Sequence, residues 1–140
     1  MIILFDNPLQ IPKLVKMAEA VPGAPLAKLK DMMFSTLNQP GTKAYIDYNS
    51  GDIRGFIYAS IEEFDGDRCV FIQFCVVRPG ELERSIGFEL LTKMKLWAKE
   101  ENIDKLYFIT QRDPKAYIRK YHFEYHGSVL KMNINKGERS

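Results

Sequence analysis

The chain has 140 residues, 46% hydrophobic and 27% charged, ordinary values for a globular domain large enough to bury one core. Twenty Lys and Arg against 18 Asp and Glu leave a net charge of +2, too balanced to argue for nucleic acid or a membrane as partner. No apolar run approaches bilayer length, and Met1-Ile2-Ile3-Leu4-Phe5 meets Asp6 without a basic leader or cleavage site, so no signal peptide is expected.

Ile2 to Phe5 reads as a short apolar strand ended by Asp6-Asn7-Pro8. Pro12 suits the first turn of a helix through about Ala20, which Pro22-Gly23-Ala24-Pro25 breaks. In a second helix Leu26, Leu29, Met33 and Leu37 recur at helical spacing, and Gln39-Pro40-Gly41 stops it. Three strands follow. Thr42 to Tyr48 ends in the turn signal Asn49-Ser50-Gly51-Asp52. Ile53 to Phe64 alternates, with Ile53, Ile57, Ala59 and Ile61 on one face and Arg54, Tyr58 and Glu62 on the other. Asp65-Gly66 favours a tight hairpin, and Cys69 to Val77 is so evenly apolar that it belongs mid-sheet, covered on both faces.

The second half changes character. Ile86 to about Glu101 reads as a helix burying Leu90, Leu91, Met94, Trp97 and Ala98, closed by Asn102 in the left-handed conformation with Ile103 as its apolar partner. Lys105 to Thr110 is a strand, Asp113-Pro114 opens a helix to about Tyr121, and Ser128 to Ile134 is a last strand before a polar tail, 136–140. The order β-α-α-β-β-β-α-β-α-β predicts one α/β (α+β) domain over residues 1–140, with a mixed, mostly antiparallel sheet flanked by helices. Cys69 and Cys75 lie in one strand roughly 20 Å apart, beyond disulfide reach, so they read as reduced thiols and the compartment as cytoplasmic.

The segment from Val77 to Leu91 joins the buried strand to the long helix. Free N–H groups and the dipole at a helix start favour an anion such as a pyrophosphate, and Gly87 allows close approach. A glycine there is also ordinary packing. Val77, Pro79, Ile86, Gly87, Leu90 and Leu91 fit, without a gap, a pattern that resembles the GNAT superfamily of N-acetyltransferases: Val-x-Pro-x-x-(Arg/Gln)-Gly-x-Gly-x-(Gly/Ala) and then two aliphatics. Tyr117-Ile118-Arg119-Lys120-Tyr121-His122-Phe123-Glu124 is similar to that family's closing motif, and the element order agrees across the chain. Leu82, Glu83 and Ser85 depart from the pattern, Leu82 replacing Arg or Gln and the other two replacing glycines.

The resemblance implies acetyl-CoA, or a related acyl-CoA, as co-substrate and a small-molecule or peptide amine as acceptor, and it leaves room for a homodimer. It implies that Cys75, Val76 and Val77 hold the pantetheine arm and polarise the thioester carbonyl. The same resemblance gives the phosphates to main-chain groups of Leu82, Glu83, Arg84, Ser85, Ile86, Gly87 and Phe88. The family's Tyr, which reprotonates the CoA thiolate, falls in strict register on Ile118; Tyr117, one residue away, serves only if the segment is shifted by one and is otherwise a packed aromatic.

Gln73, the one polar side chain inside its strand, faces the acyl site or is a hydrogen-bonded core amide. Glu62, Glu63 and Asp47 are candidate proton acceptors or solvated strand-face charges. Tyr45, Tyr48 and Tyr58 line an acceptor groove or simply pack. Arg112, Lys115 and Arg119 could meet the CoA 3′-phosphate or stay solvated, and His122 with His126 lacks the neighbours of a metal site. Two functions remain open: an acyl-CoA-dependent N-acetyltransferase, and a module of the same fold that binds without turnover. An unrelated α/β fold that carries these residues for packing alone is the third reading.

Overall fold

A computed structural model describes residues 1–64, 66–80, 82–109, 124–126 and 129–134. Among them run strands β1 (Ile2–Leu4), β2 (Thr42–Asn49), β3 (Asp52–Phe64), β4 (Asp67–Val77), β5 (Lys105–Ile109), β6 (Glu124–His126) and β7 (Val129–Asn133), with helices α1 (Ile11–Glu19), α2 (Leu26–Thr36) and α3 (Glu83–Glu100). The strands form one sheet in the order β1-β2-β3-β4-β5-β7-β6. Every neighbouring pair is antiparallel except β4 and β5, which are joined through α3 and run parallel. The expected mixed, mostly antiparallel α/β architecture is what the molecule has. The helix expected from Asp113 to Tyr121 lies outside the described residues.

The sheet separates two cores. On one face α3 lays Ile86, Leu90, Leu91, Met94, Trp97 and Ala98 over Ile57, Ala59, Val70, Ile72, Leu106 and Phe108. On the other, α1 and α2 lay Ile11, Leu14, Met17, Leu29 and Met33 over Phe56, Tyr58, Phe74 and Val76. The helical spacing of these apolar residues is what commits each helix to its face. α3 ends as its sequence dictates: Asn102 sits at φ 58°, and the Ile103 N–H reaches back to Ala98 O at 2.8 Å.

Two strands break strict alternation, and both breaks matter. Tyr48 pairs with Ile53 and Asp47 with Gly55, so Arg54 is an extra residue in β3. Ile53 therefore joins the α1/α2 core, whereas Ile57 and Ala59 face α3, contrary to the single face expected for all three. In β4, Phe74 pairs with Tyr58 and Ile72 with Ala59, which leaves Gln73 as the extra residue. Val70 and Ile72 face α3, but Phe74 and Val76 face α1 and α2. A bulge is invisible to a reading that counts in twos.

α3 begins three residues earlier than its apolar periodicity suggests, because Leu82, Glu83 and Arg84 are all good helix formers and Glu83 complements the dipole at the first turn. β6 was not anticipated; three residues are too few to display a period. At the near end of the parallel pair, Lys105 Nζ meets Asp67 Oδ2 at 2.6 Å. That contact holds the Lys105 ammonium pKa above its usual range.

Two measurements test this packing. A Cβ at Gly55 would stand 3.0 Å from Ile86 Cγ2 and 3.2 Å from the Val76 carbonyl, so Gly55→Val should cost about 1–3 kcal/mol of stability in urea titration. Burial, reinforced by the Glu62 and Asp67 carboxylates, pushes the Cys69 thiol from 9.0 up to about 11. Below pH 9 folded and unfolded chains both keep that proton and stability is full. Between pH 9 and about 11 only the unfolded chain loses it, so stability falls. Tyr45 and Tyr58, whose pKa burial also raises, add to the slope. Cys69→Ala should flatten it, as read from denaturation midpoints at pH 8 and pH 10.

Candidate functional site

The bulge at Gln73 coincides with the point where β4 and β5 part. Their parallel pairing runs Val70 to Leu106, Phe71 to Tyr107 and Ile72 to Phe108, and stops. Beyond it β4 continues for five residues, Gln73 to Val77, with β3 as its strand partner on the other side. A bulge bends and twists its strand, which is the physical reason for the parting. Among the described residues the β4–β5 pairing is thus open beyond Ile72 and Phe108.

β4 leads straight from that opening into α3. Arg78 N–H prolongs the β3 ladder with a bond to Arg54 O at 2.8 Å, and the Arg78 guanidinium reaches Ile53 O at 3.2 Å. Gly80, at φ 150°, turns the chain with open space around it. Leu82 caps α3 without a side-chain acceptor, and Glu83 N–H bonds Gly80 O at 3.2 Å. The Arg84 N–H has no acceptor among the described residues. A first helical turn carries amide N–H groups without intrahelical acceptors, and here Arg84 and Ser85 are exposed beside it.

The residues expected at the site do not all contribute alike. Leu82 and Phe88 are exposed apolar side chains at the mouth of the opening's helix, 52% and 54% accessible. Ile86 spends its N–H on Leu82 O at 2.9 Å and its side chain in the α3 core. Gly87 is buried in the second turn of α3, one turn past the helix start. Cys75 and Val77 pack against the α3 core and Val76 against the opposite one. Tyr117 lies outside the described residues, as do Arg112, Lys115, Arg119 and His122.

The other candidates divide clearly. Asp47 is a buried carboxylate, not a solvated strand-face charge: its oxygens meet Arg54 Nε at 2.6 Å and the Met1 amino nitrogen at 3.0 Å. Tyr58 is buried under α2 with its hydroxyl bonded to that of Thr36. Tyr45 packs toward the α3 core, and Tyr48 toward α1, with the Lys13 ammonium 5.5 Å above its ring. All three pack, Tyr58 fully buried and Tyr45 and Tyr48 half-buried. Glu62 and Glu63 are exposed, and Glu62 accepts a bond from Ser60 Oγ at 3.0 Å. Ser60 in turn accepts from Gln73 Nε2 at 3.1 Å. Among the described residues no cluster of His, Cys, Asp and Glu could hold a metal ion, and no helix is long and apolar enough to cross a membrane.

The family model for the acetyltransferase (GNAT) family matches residues 15–125. A search of curated proteins found no match. Among solved structures, the aminoglycoside 6′-acetyltransferase type Ii is similar at 16% identity and a TM-score of 0.72, covering 96% of this chain and 97% of that one. A GNAT-family acetyltransferase from Brucella melitensis in complex with acetyl-CoA is 12% identical, with a TM-score of 0.72 over 95% of this chain and 88% of that one. A putative GNAT acetyltransferase from Desulfovibrio desulfuricans reaches a TM-score of 0.77 at 11% identity, covering 96% and 98%. At these identities the likeness is one of fold.

One measurement tests the reassignment of Asp47. Removing a buried carboxylate from two cationic partners leaves Arg54 uncompensated, so Asp47→Asn should destabilise by about 1–3 kcal/mol in urea titration, the partial exposure of Arg54 keeping the cost below that of a fully buried pair.

Proposed function

The chain belongs to the acetyltransferase (GNAT) family, and we propose that it transfers an acetyl group from acetyl-CoA directly to an amine. The observation that carries this reading is the end of the β4–β5 pairing beyond Ile72 and Phe108, with β4 leading on into the start of α3. One end suits an extended, hydrogen-bonding pantetheine arm and the other an anion. The exposed Arg84 and Arg78 supply cationic charge there, which offsets the unhelpful Glu83 carboxylate.

Bound acetyl-CoA would supply an activated acyl group whose thioester carbonyl carbon accepts the amine. The residues of the chain bind and orient. The main chain of Cys75 to Val77 holds the arm and polarises the carbonyl, and the first turn of α3 neutralises the phosphates. As the C–N bond forms and the C–S bond breaks, the amine nitrogen gives up a proton and the departing thiolate takes one; Tyr117 is assigned the second role from the motif resemblance alone. An amine with pKa near ten must reach the site neutral, and water is the first carrier of its proton. Because relatives of this fold acetylate aminoglycosides, an aminoglycoside is a sensible first acceptor to try.

A second reading keeps the fold and drops turnover. Leu82, Glu83 and Ser85 at glycine-rich or basic motif positions, and Ile118 in the register of the family's Tyr, favour it. The two part on kinetics: only an enzyme releases free CoA thiol when offered amines, whereas both gain stability from the ligand.

Acetyl-CoA at about a hundredfold over its Kd should stabilise the fold by ~2.7 kcal/mol, a Tm rise of several degrees. Arg84→Glu, an exposed change, should weaken that binding about tenfold while leaving the unliganded Tm unchanged. Gly87→Trp should abolish the shift. Tyr117→Phe should lower kcat by about 10- to 100-fold and spare the shift. No shift with the unmodified protein would end the acyl-CoA reading.

A further inference from the structure

Gln73 stands where three features meet. It is the extra residue of the β4 bulge, the first residue past the last β4–β5 pair, and the donor to Ser60 at 3.1 Å. Ser60 lies next to Ala59 in β3 and so faces away from α3, on the side of Tyr58. The Gln73 side chain therefore reaches the face opposite the α3 start, with the opening between β4 and β5 separating the two.

We propose that the Gln73 side-chain carbonyl oxygen receives the acceptor amine, and that Ser60 and Glu62 fix the amide in the orientation this needs. The inference rests on the acetyl-transfer reading above. Its chemical basis is a chain of forced choices. An ionised carboxylate only accepts hydrogen bonds, and a serine hydroxyl has one proton to give. Glu62 Oε1 stands 3.0 Å from Ser60 Oγ, so that proton is committed. Toward Gln73, then, Ser60 can only accept. Only the NH2 end of the amide can donate, which turns Nε2 to Ser60; the flipped amide would set two acceptors against each other. The remaining atom, Oε1, takes no hydrogen bond among the described residues. Ser60 is 9% accessible, which protects the middle of the chain from competing water, while Gln73 is half-buried and within reach of a ligand.

A neutral amine needs its lone pair aimed at the thioester carbon. An N–H held by Gln73 Oε1 provides that aim. As the C–N bond forms, the nitrogen becomes cationic and its N–H a stronger donor, so the contact tightens in the transition state more than in the ground state. The C–S bond breaks to give the CoA thiolate, and the proton lost by nitrogen passes to water, because an amide is no base. Gln73 touches the reacting amine; Ser60 and Glu62 are positioning residues.

Hydroxylamine is a small probe amine whose acetylation by acetyl-CoA gives a hydroxamate, read by its iron(III) colour. Glu62→Gln is an isosteric surface change that allows Ser60 to turn its proton toward Gln73 and the amide to flip. It should lower kcat/KM for hydroxylamine about fivefold. Ser60→Ala should lower it about tenfold, and Ser60→Thr, which keeps the hydroxyl, should restore it. The KM for acetyl-CoA and the Tm should stay within twofold and two degrees, roughly, of the unmodified protein. Unchanged kcat/KM in Glu62→Gln and Ser60→Ala overturns the proposal, as do losses shared with acetyl-CoA KM or with Tm. An acetyl-CoA Tm shift without any enzyme-dependent hydroxamate overturns it alone; absence of both defeats the acetyl-transfer reading with it.

Discussion

One added residue governs the centre of this molecule. Gln73 has no partner of its own on β3, and the strand on either side of it presents opposite faces to the same core. Without that interruption Phe74 and Val76 would follow Ile72 toward α3, and the α1/α2 core would lose an aromatic and a branched residue from its floor. β4 could also stay paired with β5 to its end, closing the sheet. The offset thus serves packing and aperture together, and neither can be altered without the other.

The same residue links the two halves of the proposed chemistry. The positive end of the α3 dipole lies on one side of the sheet, while a polar chain of Gln73, Ser60 and Glu62 lies on the other. A thioester threaded through the gap would present its phosphates to the first and its carbonyl to the second.

Much of the fold was legible in the sequence, and the reasons are local. The α3 face, the Asn102 cap and the turns at Gly51 and Gly66 each follow from a residue type with a narrow range of conformations. The bulge at Gln73 was not legible, because the apolar run Cys69–Val77 shows no alternation to interrupt. That at Arg54 was not, because it comes one residue after Ile53, too early for the strand to set a phase. Asp47 was misjudged for a related reason: its neighbours in sequence are apolar and aromatic, and the Arg54 that makes its burial tolerable stands across a hairpin. Of the site, the strand-to-helix junction was readable to within three residues; the end of the β4–β5 pairing was not, since it arises from strands that sequence order keeps apart.

The parallel strands β4 and β5 are clasped where they begin. Lys105 and Asp67 tie them there, three residue pairs follow, and past Ile72 and Phe108 no further pair is made among the described residues. Mechanically this is a lever with its fulcrum at Ile72. A molecule seated beyond that fulcrum would load the Lys105–Asp67 contact through three ladder pairs at the centre of the sheet, between the rim strands β1 and β6.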